Sequence, residues 1–251
     1  MLNLRADFHV HTCLSPCADD FMTPRAIIAK AIERGLGMIA ISDHNSAENV
    51  EAAIAAADST SLTIIPGMEI TSSEEVHILG LFDSVTAAQG VQKVIYEHLN
   101  PGQNNEEFFG SQYVVDKDDY VISENKRLLI GATDLSVSEV VETIHKFSGL
   151  AVAAHIDRER FGLLYQLGFL PEGLELDAVE LTGNSKLSEV EEKFRCSIDL
   201  PQICDSDSHF LDDIGRRTTE FLVEAPTLSE IRLALKGIDG RWARCRGENH
   251  A

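Results

Sequence analysis

No segment of this chain approaches the roughly 20 consecutive apolar residues that a membrane-spanning helix needs, so a membrane is not expected as a partner. The opening residues, Met-Leu-Asn-Leu-Arg-Ala-Asp, lack the apolar core of a signal peptide. Cysteine is scarce and unpatterned: Cys13, Cys17, Cys196, Cys204 and Cys245 form no CxxC pair and are odd in number. These absences together point to a reduced cytoplasm. Positive charge is short as well, with 21 Lys plus Arg against 41 Asp plus Glu and a formal charge of -20. A field of that sign repels a phosphate backbone, so extended nucleic acid is not expected as a partner. Nothing in the composition speaks to oligomeric state.

What is present is the composition of a soluble globular protein, 251 residues with 44% hydrophobic and 25% charged. That length suits one large α/β domain spanning 1–251. Short apolar runs alternate with amphipathic stretches, the pattern of repeated βα units and a largely parallel sheet. Strands are expected at Leu4–Val10, Gly37–Ser42, Leu62–Pro66, Val76–Phe82, Leu150–Ala154, Ala178–Leu181, Leu200–Cys204 and Thr219–Val223. Helix signals lie between them. Thr23-Pro24 is a start with Gly35 as its stop, and Ser136 with Glu139 has capping-box spacing. Residues 100–134 break this rhythm with Pro101-Gly102, Asn104-Asn105 and two short β-like runs, Tyr113–Val115 and Tyr120–Ile122. They read as an inserted hairpin or lid.

The chemistry begins at Asp7-Phe8-His9-Val10-His11, at the end of the first strand. On a strand, residues i and i+2 point the same way, so both imidazoles leave one face and make half of a site for zinc, manganese or iron. Asp43-His44 follows the second strand, Glu69 the third, His77 lies at the fourth, His155 ends Ala151–Ala154, and Asp207 and His209 come just after Cys204. Strand ends of a barrel meet at one mouth, which is where such enzymes place their chemistry. His98, His145 and His250 fall outside the pattern and read as structural or solvated. Cys13 and Cys17 read as packing residues in the loop after the first strand, because a His and carboxylate cluster needs no thiolate.

Assembled, DxHxHT (Asp7, His9, His11, Thr12), SDHN (Asp43, His44), PGxEI (Glu69), HILG (His77), AH (His155) and SDxH (Asp207, His209) resemble the PHP (polymerase and histidinol phosphatase) family of metal-dependent phosphoesterases. The resemblance spans residues 7–209 in the family's chain order. It implies a distorted (β/α)7 TIM-like barrel with two or three divalent ions (Zn, Mn or Fe, with Mg possible) at the C-terminal strand ends. It places His9, His11, Glu69 and Asp207 around the first ion. Glu69, His77 and His155 surround the second. His44, His209 and a side chain from the loop after HxH surround the third; Asp19 is the expected residue there and Asp20 the alternative. Arg158, three after His155, resembles an arginine that relatives use on phosphate; the other reading is an ion pair with Asp157 or Glu159. Asp7 is expected to orient a metal-bound histidine from behind.

The function so implied is hydrolysis of a small phosphate monoester (a nucleotide, sugar phosphate or amino-alcohol phosphate) by metal-bridged hydroxide, with Glu69, Asp207 and His209 as the catalytic set. The alternatives are an exonuclease on short oligonucleotides and an amidohydrolase-type metal hydrolase. The latter usually wants a bridging Lys in mid-chain, whereas Lys93, Lys117, Lys126 and Lys146 lie on helices or in the insert.

Overall fold

The structure is a computed structural model, and it describes residues 1–181 and 186–246. Its elements run β1 (Leu2–Val10), α1 (Pro24–Glu33), β2 (Met38–Ile41), α2 (Val50–Ala57), β3 (Thr63–Thr71), β4 (His77–Leu81) and α3 (Val85–His98). Then follow α4 (Glu106–Phe109), β5 (Tyr113–Val115), β6 (Val121–Glu124), α5 (Val137–Lys146), β7 (Leu150–Ala153), α6 (Leu163–Leu167) and β8 (Ala178–Leu181). The chain closes with α7 (Leu187–Phe194), β9 (Gln202–Cys204), β10 (Thr218–Val223), α8 (Leu228–Leu235) and β11 (Trp242–Arg246). The short helices α4, α6 and α7 and the strand β11 were not read from sequence.

Nine strands form one sheet in the order β11-β10-β1-β2-β3-β4-β7-β8-β9. Its two edges approach each other, because β9 packs against β10 and β11, so the sheet is a nearly closed barrel. This is the expected α/β barrel, with a mixed rather than largely parallel sheet. β4 runs antiparallel to both β3 and β7, and β10 runs antiparallel to β1 and β11. The reversal of β4 brings His77, its first residue, to the same mouth as the last residues of β1 and β3.

Two apolar clusters alternate along the strands, as the two-residue period of a sheet requires. Ile39 and Ile41 of β2 join the helix side chains outside the barrel, whereas Met38 and Ala40 join Phe8, Leu79, Val152 and Phe221 within it. Leu228, Ile231 and Ala234 of α8 belong to the inner cluster too. Strand β1 changes phase: Phe8 lies in the inner cluster and Val10 in the outer one. The cause is a register shift between Asp7 and Val10 in the pairing with β2. That shift turns His9 and His11 toward the mouth.

Cys204 of β9 and Cys245 of β11 form a disulfide across the seam of the barrel, a pair that nothing in their spacing marked. It closes a loop with a sequence separation of 41 residues. Opening it should cost about 4 kcal/mol, most of it through the freed unfolded chain. Calorimetry with and without reductant should therefore show Tm falling by roughly 8 to 16 °C. An unchanged Tm would mean that strand pairing alone holds the seam.

Residues 100–134 carry the separate two-stranded sheet β5-β6. Asparagine side chains of the barrel loops tie this segment down. Asn45 donates to the Leu129 and Gly131 carbonyls, and Asn49 donates to the Tyr113 carbonyl and accepts from Val115 N–H. No helix among the described residues is long and apolar enough to cross a membrane.

Candidate metal centre

Six imidazoles, of His9, His11, His44, His77, His155 and His209, meet at the mouth around two carboxylates. Glu69 is the hub. Its oxygens lie 3.2 Å from His9 Nε2, 3.5 Å from His11 Nε2, 3.0 Å from His44 Nδ1, 2.7 Å from His77 Nδ1 and 3.0 Å from His155 Nε2. Asp207 Oδ1 stands 3.4 Å from His9 and 3.2 Å from His11. All of these but His209 are buried. Asn45, His155, Phe161 and Asp207 hold positive φ at this mouth, a conformation that non-glycine residues adopt only where their surroundings impose it.

Three of the rings, those of His9, His11 and His209, are fixed from behind. The Glu180 carboxylate grips His9 Nδ1 at 3.0 and 3.1 Å and accepts the His155 backbone N–H at 3.0 Å. His11 Nδ1 meets Ser15 Oγ at 2.9 Å, and Ser15 in turn donates to Asp43 at 2.7 Å. His209 Nδ1 donates to the Asp207 carbonyl at 3.0 Å. Such bonds set the tautomer and leave the opposite nitrogen free as a donor to a cation. Glu180 was missed by sequence reading. The available signal was one acidic residue inside the apolar run Ala178–Leu181.

The electrostatics follow from burial and crowding. Burial would raise the Glu69 carboxyl, but the His77, His9 and His44 charges and the His155 bond outweigh it and hold it well below the usual range. Burial would lower His9, yet the Glu180, Asp207 and Glu69 carboxylates raise it well above 6.5. His77, where burial prevails, falls to about 4. Burial would raise the Cys17 thiol, but His44 and His209 bring it down to about 6.

The donors fit divalent cations. His9 Nε2, His44 Nδ1 and Glu69 Oε2 are buried without a hydrogen bond although each has a polar neighbour within 3.5 Å. Leaving a buried polar atom unmet costs about 1–3 kcal/mol, a cost that coordination removes. Ligand atoms lie within 4.8 Å of one another in three groups: His9, His11 and Glu69; His44, Glu69 and His77; His11, His44 and His209.

Three expected side chains are placed differently. Asp19 does not join these groups: its carboxylate accepts the Phe21 N–H at 2.8 Å in a local turn, and Asp20 is exposed. Cys17, read as a packing residue, faces the cavity instead, with its sulfur 3.1 Å from His209 Nε2. Asp7 holds no histidine ring. Its carboxylate accepts from Ser206 N–H at 3.0 Å and Gly215 N–H at 2.9 Å, which secures the loop that carries Asp207. Arg158 pairs with Asp207 rather than with a surface neighbour, and it lines the cavity. His98 and His145 bond Asp134 and Asp177 away from the mouth, and His250 lies outside the described residues.

The cluster forms the floor of a cavity of about 490 Å³ walled by Ile130, Arg158, Arg160 and Phe161. Phe161 stacks on His77 with ring centroids 4.3 Å apart. None of Lys93, Lys117, Lys126 and Lys146 lines it, and Glu69 holds the central position that a bridging lysine would take.

The family model of the PHP domain matches residues 7–167. A curated relative, 5'-3' exoribonuclease Rnm of Escherichia coli strain K12, is 37% identical over 89 residues, 32% of this chain and 28% of the relative. The chain thus matches less than a third of that relative's length. Among solved structures, the lesion-specific endonuclease PfuEndoQ of Pyrococcus furiosus superposes with a TM-score of 0.77 at 19% identity, over 98% of this chain and 59% of that one. Endonuclease Q in complex with a 27-mer duplex carrying an abasic lesion superposes with a TM-score of 0.73 at 19% identity, over 96% of this chain and 58% of that one. The exclusion of extended nucleic acid therefore does not stand: a chain of this fold holds a duplex at its active site, and a relative is named as an exoribonuclease. The error was physical. Net charge sums the whole surface, whereas a phosphate meets only the field at the mouth, where Arg158 and Arg160 stand beside Glu69, Glu159 and Asp207 and bound cations would decide the sign.

Proposed function

This chain belongs to the PHP domain family of metal-dependent hydrolases, and we propose that it cleaves phosphodiesters at the end of a nucleic-acid strand. The observation that carries the reading is the cavity. Its floor is an array of imidazoles and carboxylates suited to cations, and its wall offers two guanidinium groups and an aromatic ring. Its volume of about 490 Å³ lies in the range that holds one small ligand, the size of a terminal nucleotide. Aromatic and cationic walls suit a base and its phosphate. The exoribonuclease relative favours a strand over the small monoester expected from sequence.

His9, His11, Glu69 and Asp207 would hold one ion, Glu69, His77 and His155 a second, and His44 and His209 take part in a third. Imidazoles outnumber carboxylates in this set, which favours Zn, Mn or Fe over Mg. Ions bound there supply Lewis acidity toward phosphate oxygens and lower the pKa of water. The protein's own part is placement. Glu180 and Ser15 keep the His9 and His11 rings turned toward the floor. Arg158, about half exposed, can exchange Asp207 for a phosphate oxygen in two-point contact. Ile130 and Phe161 give the cavity an apolar edge.

The test is to incubate the protein with Mn²⁺ or Zn²⁺ and a 5′-phosphorylated short RNA, the matching DNA, or a nucleoside monophosphate. Stepwise release of mononucleotides from a strand is the expected result. Release of inorganic phosphate from the monophosphate alone would return the reading to a small ester.

A further inference from the structure

We propose that Cys17 is a metal ligand, completing with His44 and His209 a nitrogen–sulfur site for one divalent ion at the outer edge of the cluster. The inference rests on the metal-dependent reading above and supplies the ligand that the loop after HxH left open. Cys17 Sγ lies 3.1 Å from His209 Nε2, and His44 is near enough for its charge to lower the thiol as well. In a tetrahedral zinc site with one sulfur and one nitrogen, those two atoms stand about 3.6 Å apart, from Zn–S near 2.3 Å and Zn–N near 2.0–2.1 Å. A shift of about half an ångström therefore admits the ion, well within the reach of a loop side chain.

Two further observations point to a ligand. His209 spends Nδ1 on the Asp207 carbonyl at 3.0 Å, which turns the Nε2 lone pair toward the sulfur. His44 is only 5% exposed, its Nδ1 faces Glu69 Oε2 at 3.0 Å, and a ligand atom of its ring groups with those of His11 and His209 within 4.8 Å. The loop places Cys17 there by its own turns, with Ser15 N–H donating to the Thr12 carbonyl and Ala18 N–H to the Ser15 carbonyl. Asp19, two residues on, accepts the Phe21 N–H in the local turn and does not line the cavity. A thiolate among imidazoles selects soft ions, so this position should take Zn²⁺ or Co²⁺ in preference to Mg²⁺ or Mn²⁺.

The experiment titrates the metal-free full chain with Co²⁺ alone and follows its absorption together with the bound equivalents by native mass spectrometry. The wild type should develop a near-ultraviolet sulfur-to-cobalt charge-transfer band with its weakest-bound equivalent. Cys17→Ser should lose that band and bind the same equivalent at least tenfold more weakly. Cys17→Asp should restore the equivalent without the band, which excludes misfolding as the cause. Cobalt bound without a charge-transfer band, or a band retained in Cys17→Ser, would overturn the assignment while leaving the metal centre intact. No cobalt bound at all would overturn the metal centre and the assignment with it.

Discussion

Replacing Glu69 with glutamine is expected to lower hydrolysis by about a thousandfold or more, equivalent to about 4 kcal/mol of lost transition-state stabilisation. Glu69 is the residue on which the mouth converges, with nitrogens of five histidines between 2.7 and 3.5 Å from its two oxygens. Glutamine keeps the shape and removes the charge, and it turns one of the two acceptors into a donor aimed at imidazoles that must themselves stay free for cations. The loss should appear in kcat as well as in metal content, because the same carboxylate serves two of the three ligand groups. Steady-state kinetics beside metal analysis, with circular dichroism to show a retained fold, decide it. Activity within tenfold of wild type would remove Glu69 from the centre of the mechanism.

How much of this was legible beforehand can be argued from particular residues. His9, His11, His44, Glu69, His77, His155, Asp207 and His209 could be read because each stands at or next to a strand end, where period-two patterning is plain and a barrel forces convergence. The structure brings all eight to one mouth. Glu180 was hidden because a strand buried on both sides reads as one apolar run, and a carboxylate inside it has no periodic signature. Its role depends on His9 and His155, which lie far from it in sequence. That Cys17 lines the cavity and neither the expected Asp19 nor its alternative Asp20 does depends on the local turns of the loop, which composition does not determine. The reversed direction of β4 was equally invisible: strand patterning says which face is buried, not which way the chain runs. The acidic net charge misled for a related reason, since it is a property of the sum and recognition is a property of one mouth.

Removing metal is expected to destabilise the protein substantially, and more so at higher pH. A ligand at a thousand times its Kd stabilises the folded state by about 4 kcal/mol per site. For a chain of this size that corresponds to roughly 8 to 16 °C in Tm. The sign of the pH dependence comes from the protons that an ion must displace. Burial would lower His9 and His44, but Glu180, Asp207 and Glu69 raise the first and Cys17 and Glu69 the second, both well above 6.5. In the metal-free chain these two rings therefore carry protons near neutrality. His11 and His77 are lowered by burial, His77 to about 4, and are already neutral there. Filling the sites thus releases protons at His9 and His44. Binding strengthens as pH rises and weakens as pH falls, and the increment in Tm between loaded and chelator-treated protein should be larger at about pH 8 than at about pH 6. Thermal melts with and without chelator across that range measure it. A Tm unmoved by chelator would mean that the imidazole cluster is held together by its own carboxylates, and an increment that stays the same across that range would show that His9 and His44 are neutral before any ion arrives.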